Sequence, residues 1–198
     1  MRRFLVMMYP GFCNYEIALL TETLAFTKDK WQLTTVAAEK KLYEGEDHMQ
    51  TLAEKEFSEI DSLDYQLLIL PGITDYHIPL ADRRNIDFLK QLNTQSKRPL
   101  IASISSSPIL LAKAGLLDQT KFMAGLYEEA YDENTFIPKQ NLTRKVVVAD
   151  KGIVTASGQF FREFAIEVLR QLDYAVPDDS FAPARKEPPY TDEELTYR

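Results

Sequence analysis

The sequence predicts an α/β fold in which a mainly parallel β-sheet is sandwiched between helices. Three observations carry that prediction. Short runs that are apolar at every position, such as Leu67-Leu68-Ile69-Leu70, alternate along the chain with stretches of helical periodicity. Strands apolar on both faces belong to sheets covered on both sides, which parallel sheets are. Two of the apolar runs break at Pro-Gly, in Tyr9-Pro10-Gly11 and Leu70-Pro71-Gly72. A third run ends in Ile101-Ala102-Ser103-Ile104-Ser105-Ser106-Ser107-Pro108. That pattern reads as strand, sharp turn and helix. Such a nucleophile-elbow turn lifts one side chain to the mouth of a sheet, beside backbone N–H groups.

The elements follow in order. Residues 4–9 are a buried strand. Residues 14–26 carry Ile17, Leu20 and Leu24 on one helical face, with Asn14 placed to cap the N-terminus. Residues 31–38, β-branched and aromatic, are a strand, and 42–52 form a small hairpin around Glu44-Gly45-Glu46-Asp47. A short helix is expected at 58–63, then a fully apolar strand at 65–70. Ile86, Leu89 and Leu92 mark an amphipathic helix over 82–93. The strand at 100–104 leads into the serines. Pro108 suits a first helical position with Ser107 as its cap, and Gly115 ends that helix. Residues 145–149 and 153–156 flank Asp150-Lys151-Gly152, a hairpin-type turn. Phe161, Phe164, Ala165, Val168 and Leu172 line a helix over 160–172. Residues 1–173 thus make one α/β domain. Residues 174–198 are an extended tail, polar and Pro-rich from Pro177, which packs on its own subunit or a neighbour or stays disordered.

Composition narrows the function. A length of 198 residues with 45% hydrophobic content suffices for a good core. A net charge of −7 argues against nucleic acid and anionic membrane surfaces as partners. No apolar stretch approaches the ~20 residues of a membrane span. The start, Met1-Arg2-Arg3-Phe4-Leu5-Val6-Met7-Met8, resembles that of a signal peptide, but Tyr9-Pro10-Gly11 interrupts its apolar run and no small-residue cleavage site follows. It is read as the first strand. With a single cysteine, Cys13, no intramolecular disulfide forms, and a cytoplasmic location is expected. Asn141-Leu142-Thr143 is a glycosylation sequon without consequence there. Two histidines, His48 and His77, and one cysteine do not make a His/Cys metal site. No GxGxxG fingerprint calls for a dinucleotide, and no cofactor is expected.

Four landmarks recur in order: Tyr9-Pro10-Gly11-Phe12 with Glu16 five residues past the glycine, Leu67–Gly72, the elbow followed by Leu111-Ala112-Lys113-Ala114-Gly115-Leu116-Leu117, and Val154-Thr155-Ala156-Ser157-Gly158 before the last helix. Together they resemble the ThiJ/PfpI family of the class I glutamine-amidotransferase-like superfamily, over about residues 3–173. The resemblance implies a flavodoxin-like three-layer sandwich, a homodimer or higher homo-oligomer, and activities ranging over peptidase, amidase, deglycase and chaperone. It implies a site made of an elbow cysteine, a glutamate from the first helix and often a histidine. Glu16 matches the glutamate. Ser105 stands in the cysteine's seat, Ser106 where peptidase-like members carry histidine, Gly125 where others place theirs, and Ile73 where a second glycine follows Gly72. Nucleophile and base positions are all altered.

Three readings follow. In the first, Ser105 and Glu16 retain hydrolase-like chemistry on a small carbonyl or amide, with Gly72, Ile73 and Ser106 around the oxyanion and His77, oriented by Asp75 or Asp82, replacing the lost histidine. A serine hydroxyl needs a base to be nucleophilic, and loss of nucleophile or base in a hydrolase costs on the order of 10⁴–10⁶ in turnover. The second is a binding or stress-response protein that keeps the pocket without the chemistry. The third is a thiol sensor at Cys13, its pKa lowered by the helix that follows. Glu16 is expected to be a buried acid with a raised pKa. Tyr9, Phe12, Tyr15, Tyr76 and Tyr127 are candidate pocket walls; His48, in an acidic hairpin, belongs to the surface.

Overall fold

The computed structural model describes residues 2–95 and 97–181. The first strand, β1 (Arg3–Met7), leads through the short β2 (Phe12–Cys13) into α1 (Tyr15–Phe26). Then come β3 (Gln32–Ala37), the hairpin of β4 (Leu42–Glu44) and β5 (Gln50–Leu52), and a two-residue strand β6 (Lys55–Glu56). β7 (Leu67–Leu70) is followed by β8 (Gly72–Ile73), α2 (His77–Ala81) and α3 (Arg83–Asn93). β9 (Leu100–Ile104) enters the elbow, and α4 (Pro108–Lys113) leaves it. The last elements are α5 (Glu128–Glu133), β10 (Val147–Asp150), β11 (Ile153–Ala156) and α6 (Phe161–Gln171).

Among the described residues the main sheet has the order β10-β11-β9-β7-β1-β3-β6. Every pairing is parallel except β10 with β11. The central strands β1, β7, β9 and β11 are buried along almost their whole length. That burial explains why they read as unbroken apolar runs rather than as alternating ones. Helices α1 and α6 pack on each other, with α6 against β9, β10 and β11, while α2, α3 and α4 form the second flanking group. This is the flavodoxin-like α/β sandwich the sequence predicts. No helix among the described residues is long and apolar enough to cross a membrane.

Several local expectations are corrected. The helix expected at 58–63 is two 3₁₀ turns, Phe57–Glu59 and Ser62–Asp64. The helix after the elbow ends where Gly115 is expected to stop it, the glycine turning left-handed at φ +80° just beyond. Two helices had gone unread: α2, whose Pro79 disguises it, and α5, six residues with little apolar pattern. The turn between β10 and β11 has Lys151 and Gly152 both at positive φ, the two-residue loop that matches strand twist. The tail is described only as far as Phe181, where Arg162 and Arg170 bind the carbonyls of Val176, Asp178 and Phe181. Residues 182–198 lie outside the described residues.

Neither expected cap caps. Asn14 and Ser107 occupy the positions before α1 and α4 without a side-chain bond to the helix N–H groups. Ser107 turns into the core instead. It is fully buried, accepts the Ile104 N–H at 3.1 Å, and sits 2.7 Å from Ser103 Oγ and 3.0 Å from the Leu70 carbonyl. The hydroxyl therefore ties the end of β9 to the end of β7. Ser107→Ala leaves those buried groups short of a partner, and a loss of about 1–3 kcal/mol is expected in urea denaturation. An unchanged midpoint would mean the tie is dispensable.

Candidate active site

Parallel strands place their C-terminal ends along one edge, and the crevice there is where open α/β sheets bind ligands. The short antiparallel pair β2–β8 fixes its floor by joining Phe12 to Ile73 and Cys13 to Gly72. It pins the loop after β1 to the loop after β7. Glu16, one residue into α1, is thereby swung across to β7 and β9. Its carboxyl is buried, with the residue 3% exposed. Gly72 N–H donates to its Oε2 at 2.9 Å and the Tyr15 hydroxyl donates to Oε1 at 3.4 Å, while the Ser105 hydroxyl faces the same space beside Gly158.

This carboxyl fits only because two of its neighbours are glycines. A Cβ on Gly72 would come within 2.0 Å of Glu16 Oε2, and one on Gly158 within 2.1 Å of Oε1 and 3.0 Å of Ser105 Oγ. The sequence names Gly72 as a site candidate and Gly158 as a landmark, and the structure adds that together they make room for the Glu16 carboxyl.

Ser105 adopts φ +62°, a left-handed backbone uncommon outside glycine. The turn is held by backbone bonds: Ser105 N–H donates to the Ala156 carbonyl at 2.8 Å, and its own carbonyl accepts Gly125 N–H at 2.7 Å. The elbow is real, and Ser105 stands at its apex. Gly125 lies directly over it, a Cβ there coming 3.3 Å from Ser105 Cα. The cleft above has a volume of about 470 Å³. Its walls include Cys13, Tyr15, Glu46, Ile73, Tyr76 and Tyr127, with Ser105, Ser106 and Glu16 at the base.

Other expected roles come out differently. Gly72 N–H is engaged by Glu16. Ile73 N–H donates to Ser106 Oγ at 2.9 Å, and the Ser106 hydroxyl donates back to the Ile73 carbonyl at 2.7 Å. Two of the three donors assigned to an oxyanion, those of Gly72 and Ile73, are therefore occupied by side chains. Among the described residues, Ser106 N–H is the donor at the elbow without a protein acceptor. His77 is absent from the cleft walls. It opens α2 on the outside, two-thirds exposed, its Nδ1 2.8 Å from Asp75. Asp82, the other carboxylate named as its orienter, binds Arg84 instead. His48 is on the surface beside Glu44. Tyr9 and Phe12 are core residues, while Tyr15, Tyr76 and Tyr127 face the cleft.

Two titrations follow from the geometry. Burial pushes the Glu16 carboxyl above its ordinary value, against the hydrogen bonds from Ser105 and Gly72. Burial, the bond to Glu46, and the nearby charges of Glu16 and Glu46 push the Cys13 thiol up. The lowered thiol pKa expected at a helix start is thus reversed: Cys13 lies in β2, nearly buried, among acids.

A match to the DJ-1/PfpI family model spans residues 2–171. The chain belongs to the DJ-1/PfpI family. No curated protein matches it. Similar solved structures include a DJ-1 superfamily protein from Agrobacterium tumefaciens (19% identity, covering 90% of this chain and 93% of that one, TM-score 0.76). Another is a ThiJ/PfpI family protein from Bacillus anthracis (24%, 89% and 85%, TM-score 0.76). A third is an AraC family transcriptional regulator from Pseudomonas putida (15%, 87% and 92%, TM-score 0.70). At these identities the DJ-1/PfpI structures speak to the fold.

The folded protein keeps the Glu16 proton to higher pH than the unfolded chain does. Stability therefore falls as pH rises from the ordinary carboxyl value of 4.5 through the raised one. Glu16→Gln, which keeps an acceptor for Gly72 N–H, should flatten that fall in denaturation midpoints between pH 4 and 8; a parallel profile would place Glu16 ionised throughout. The raised Cys13 value likewise predicts iodoacetamide labelling slower than that of a free thiol at neutral pH, quickening in Glu46→Gln. Labelling as fast as that of the denatured chain would contradict it.

Proposed function

We propose that this DJ-1/PfpI protein is a small-molecule binding protein that uses the family's elbow as a hydrogen-bonding seat rather than as a hydrolytic centre. The observation that carries this reading is the occupation of the two N–H groups that face the elbow from the loop after β7. Gly72 N–H is committed to Glu16 and Ile73 N–H to Ser106. Acyl transfer needs donors free to meet a developing oxyanion, and each one lost costs about 10²–10³ in rate. It also needs a base. No imidazole lines the cleft. The Glu16 carboxyl and the Ser105 hydroxyl, side by side at its base, can hydrogen-bond a ligand's carbonyl or hydroxyl oxygen without forming a covalent bond to it.

The left-handed backbone at Ser105 and its contact with Glu16 favour a second reading, in which Ser105 is acylated slowly with Glu16 as base. Intact-mass labelling with a fluorophosphonate separates the two. The binding reading expects no adduct beyond that of the denatured chain. An adduct formed by the folded protein and lost in Ser105→Ala would replace it with serine chemistry.

A further inference from the structure

The walls of the cleft carry more information than its base. Glu46 sits at the rim with its side chain accessible, accepting a bond from Thr74 Oγ1 at 3.2 Å, and Glu16 lies below. No lysine, arginine or histidine is among the lining residues. Among the described residues, neither Glu16 nor Glu46 forms an ion pair. Three tyrosines complete the walls. Tyr127 is 87% exposed and Tyr15 54%, so two large rings stand at a cleft mouth with nothing packed over them. Tyr15 is steadied edge-on by Phe161 at 6.0 Å, and Tyr76 is stacked on His77 at 4.3 Å.

Carboxyl groups without a cationic partner and aromatic rings around one cavity are complementary to a cation. Resting on the binding reading above, we infer that the ligand of this cleft is a small organic cation, an ammonium or quaternary ammonium carrying a carbonyl or hydroxyl oxygen. Its charged head lies among Tyr15, Tyr76, Tyr127 and Glu46, and its oxygen reaches the Ser105–Glu16 pair. The cavity of about 470 Å³ suits a molecule of this size. An anion would meet two carboxyls and no compensating base. Burial raises the Tyr15 hydroxyl and the Cys13 thiol, and the nearby Glu16 and Glu46 add to the same direction. A chain of net charge −7 attracts such ligands at long range as well.

The test is calorimetric titration of the full chain with choline, its neutral isostere 3,3-dimethylbutan-1-ol and its anionic isostere 3,3-dimethylbutyrate. Amide NMR shifts at Ile73, Ser106 and Leu126 locate any binding. Choline should bind at least about tenfold more tightly than the alcohol. Glu46→Gln should weaken choline about tenfold and leave the alcohol unchanged, and the exposed Tyr127→Leu should weaken choline about two- to fivefold, the share of an exposed cation–π contact. Equal or tighter binding of the alcohol or the butyrate at the cleft overturns the cation assignment and leaves the binding reading standing. Choline binding indifferent to Glu46→Gln overturns it too. Silence of all three probes at about 10 mM, where a millimolar site is mostly filled, overturns the cation assignment. A fluorophosphonate adduct at Ser105 is the separate result that removes the binding reading itself.

Discussion

The carboxyl of Glu16 is the point on which this fold's working edge turns. Burying a carboxyl is costly unless its oxygens are met by donors, and here the donors come from two places. Gly72 answers from the end of β7 and Tyr15 from the start of the same helix, with Ser105 lying alongside at the end of β9. Gly158, beyond β11, contributes by having no side chain. One acid thus holds loops from neighbouring strands in register. The two-residue strands β2 and β8 set its height, since without them the loop after β1 has no reason to lean toward β7.

The same arrangement sets the electrostatics. A helix start ordinarily favours a thiolate or a carboxylate. At this helix start burial wins for both groups, because the cleft holds acids without bases and the walls keep water from the deepest atoms. The serines divide the labour between them. Ser105 faces the cavity, Ser106 closes both hydrogen-bonding groups of Ile73, and Ser107 is buried as a brace between two strands. Three identical side chains in sequence therefore serve cavity, plug and core.

The legible parts of the sequence were those with long-range periodicity or obligatory turn chemistry. The buried strands announced themselves as apolar runs, the strand-to-helix elbow by its abrupt change from apolar to serine, and the β10–β11 turn by Lys151-Gly152. Glu16 and Ser105 were placed by their distance from these markers. What escaped was local and brief. Two-residue strands such as β2 and β8 have no period to read. The helix α5, Glu-Glu-Ala-Tyr-Asp-Glu, buries only Ala130 and Tyr131 and so shows no stripe. His77 was misjudged because its side chain's direction depends on α2, which Pro79 concealed. The fate of Ser107 depended on a contact with Leu70, thirty-seven residues away, which no local pattern encodes.

The backbone at Ser105 is fixed by its own N–H and carbonyl, through Ala156 and Gly125, and not by its hydroxyl. Shape and reagent are therefore separate inheritances at this position. A lineage can exchange the atom at the apex for another of similar size while the surrounding protein scarcely registers the change. That makes the elbow a socket, whose shape does not depend on which side chain it presents.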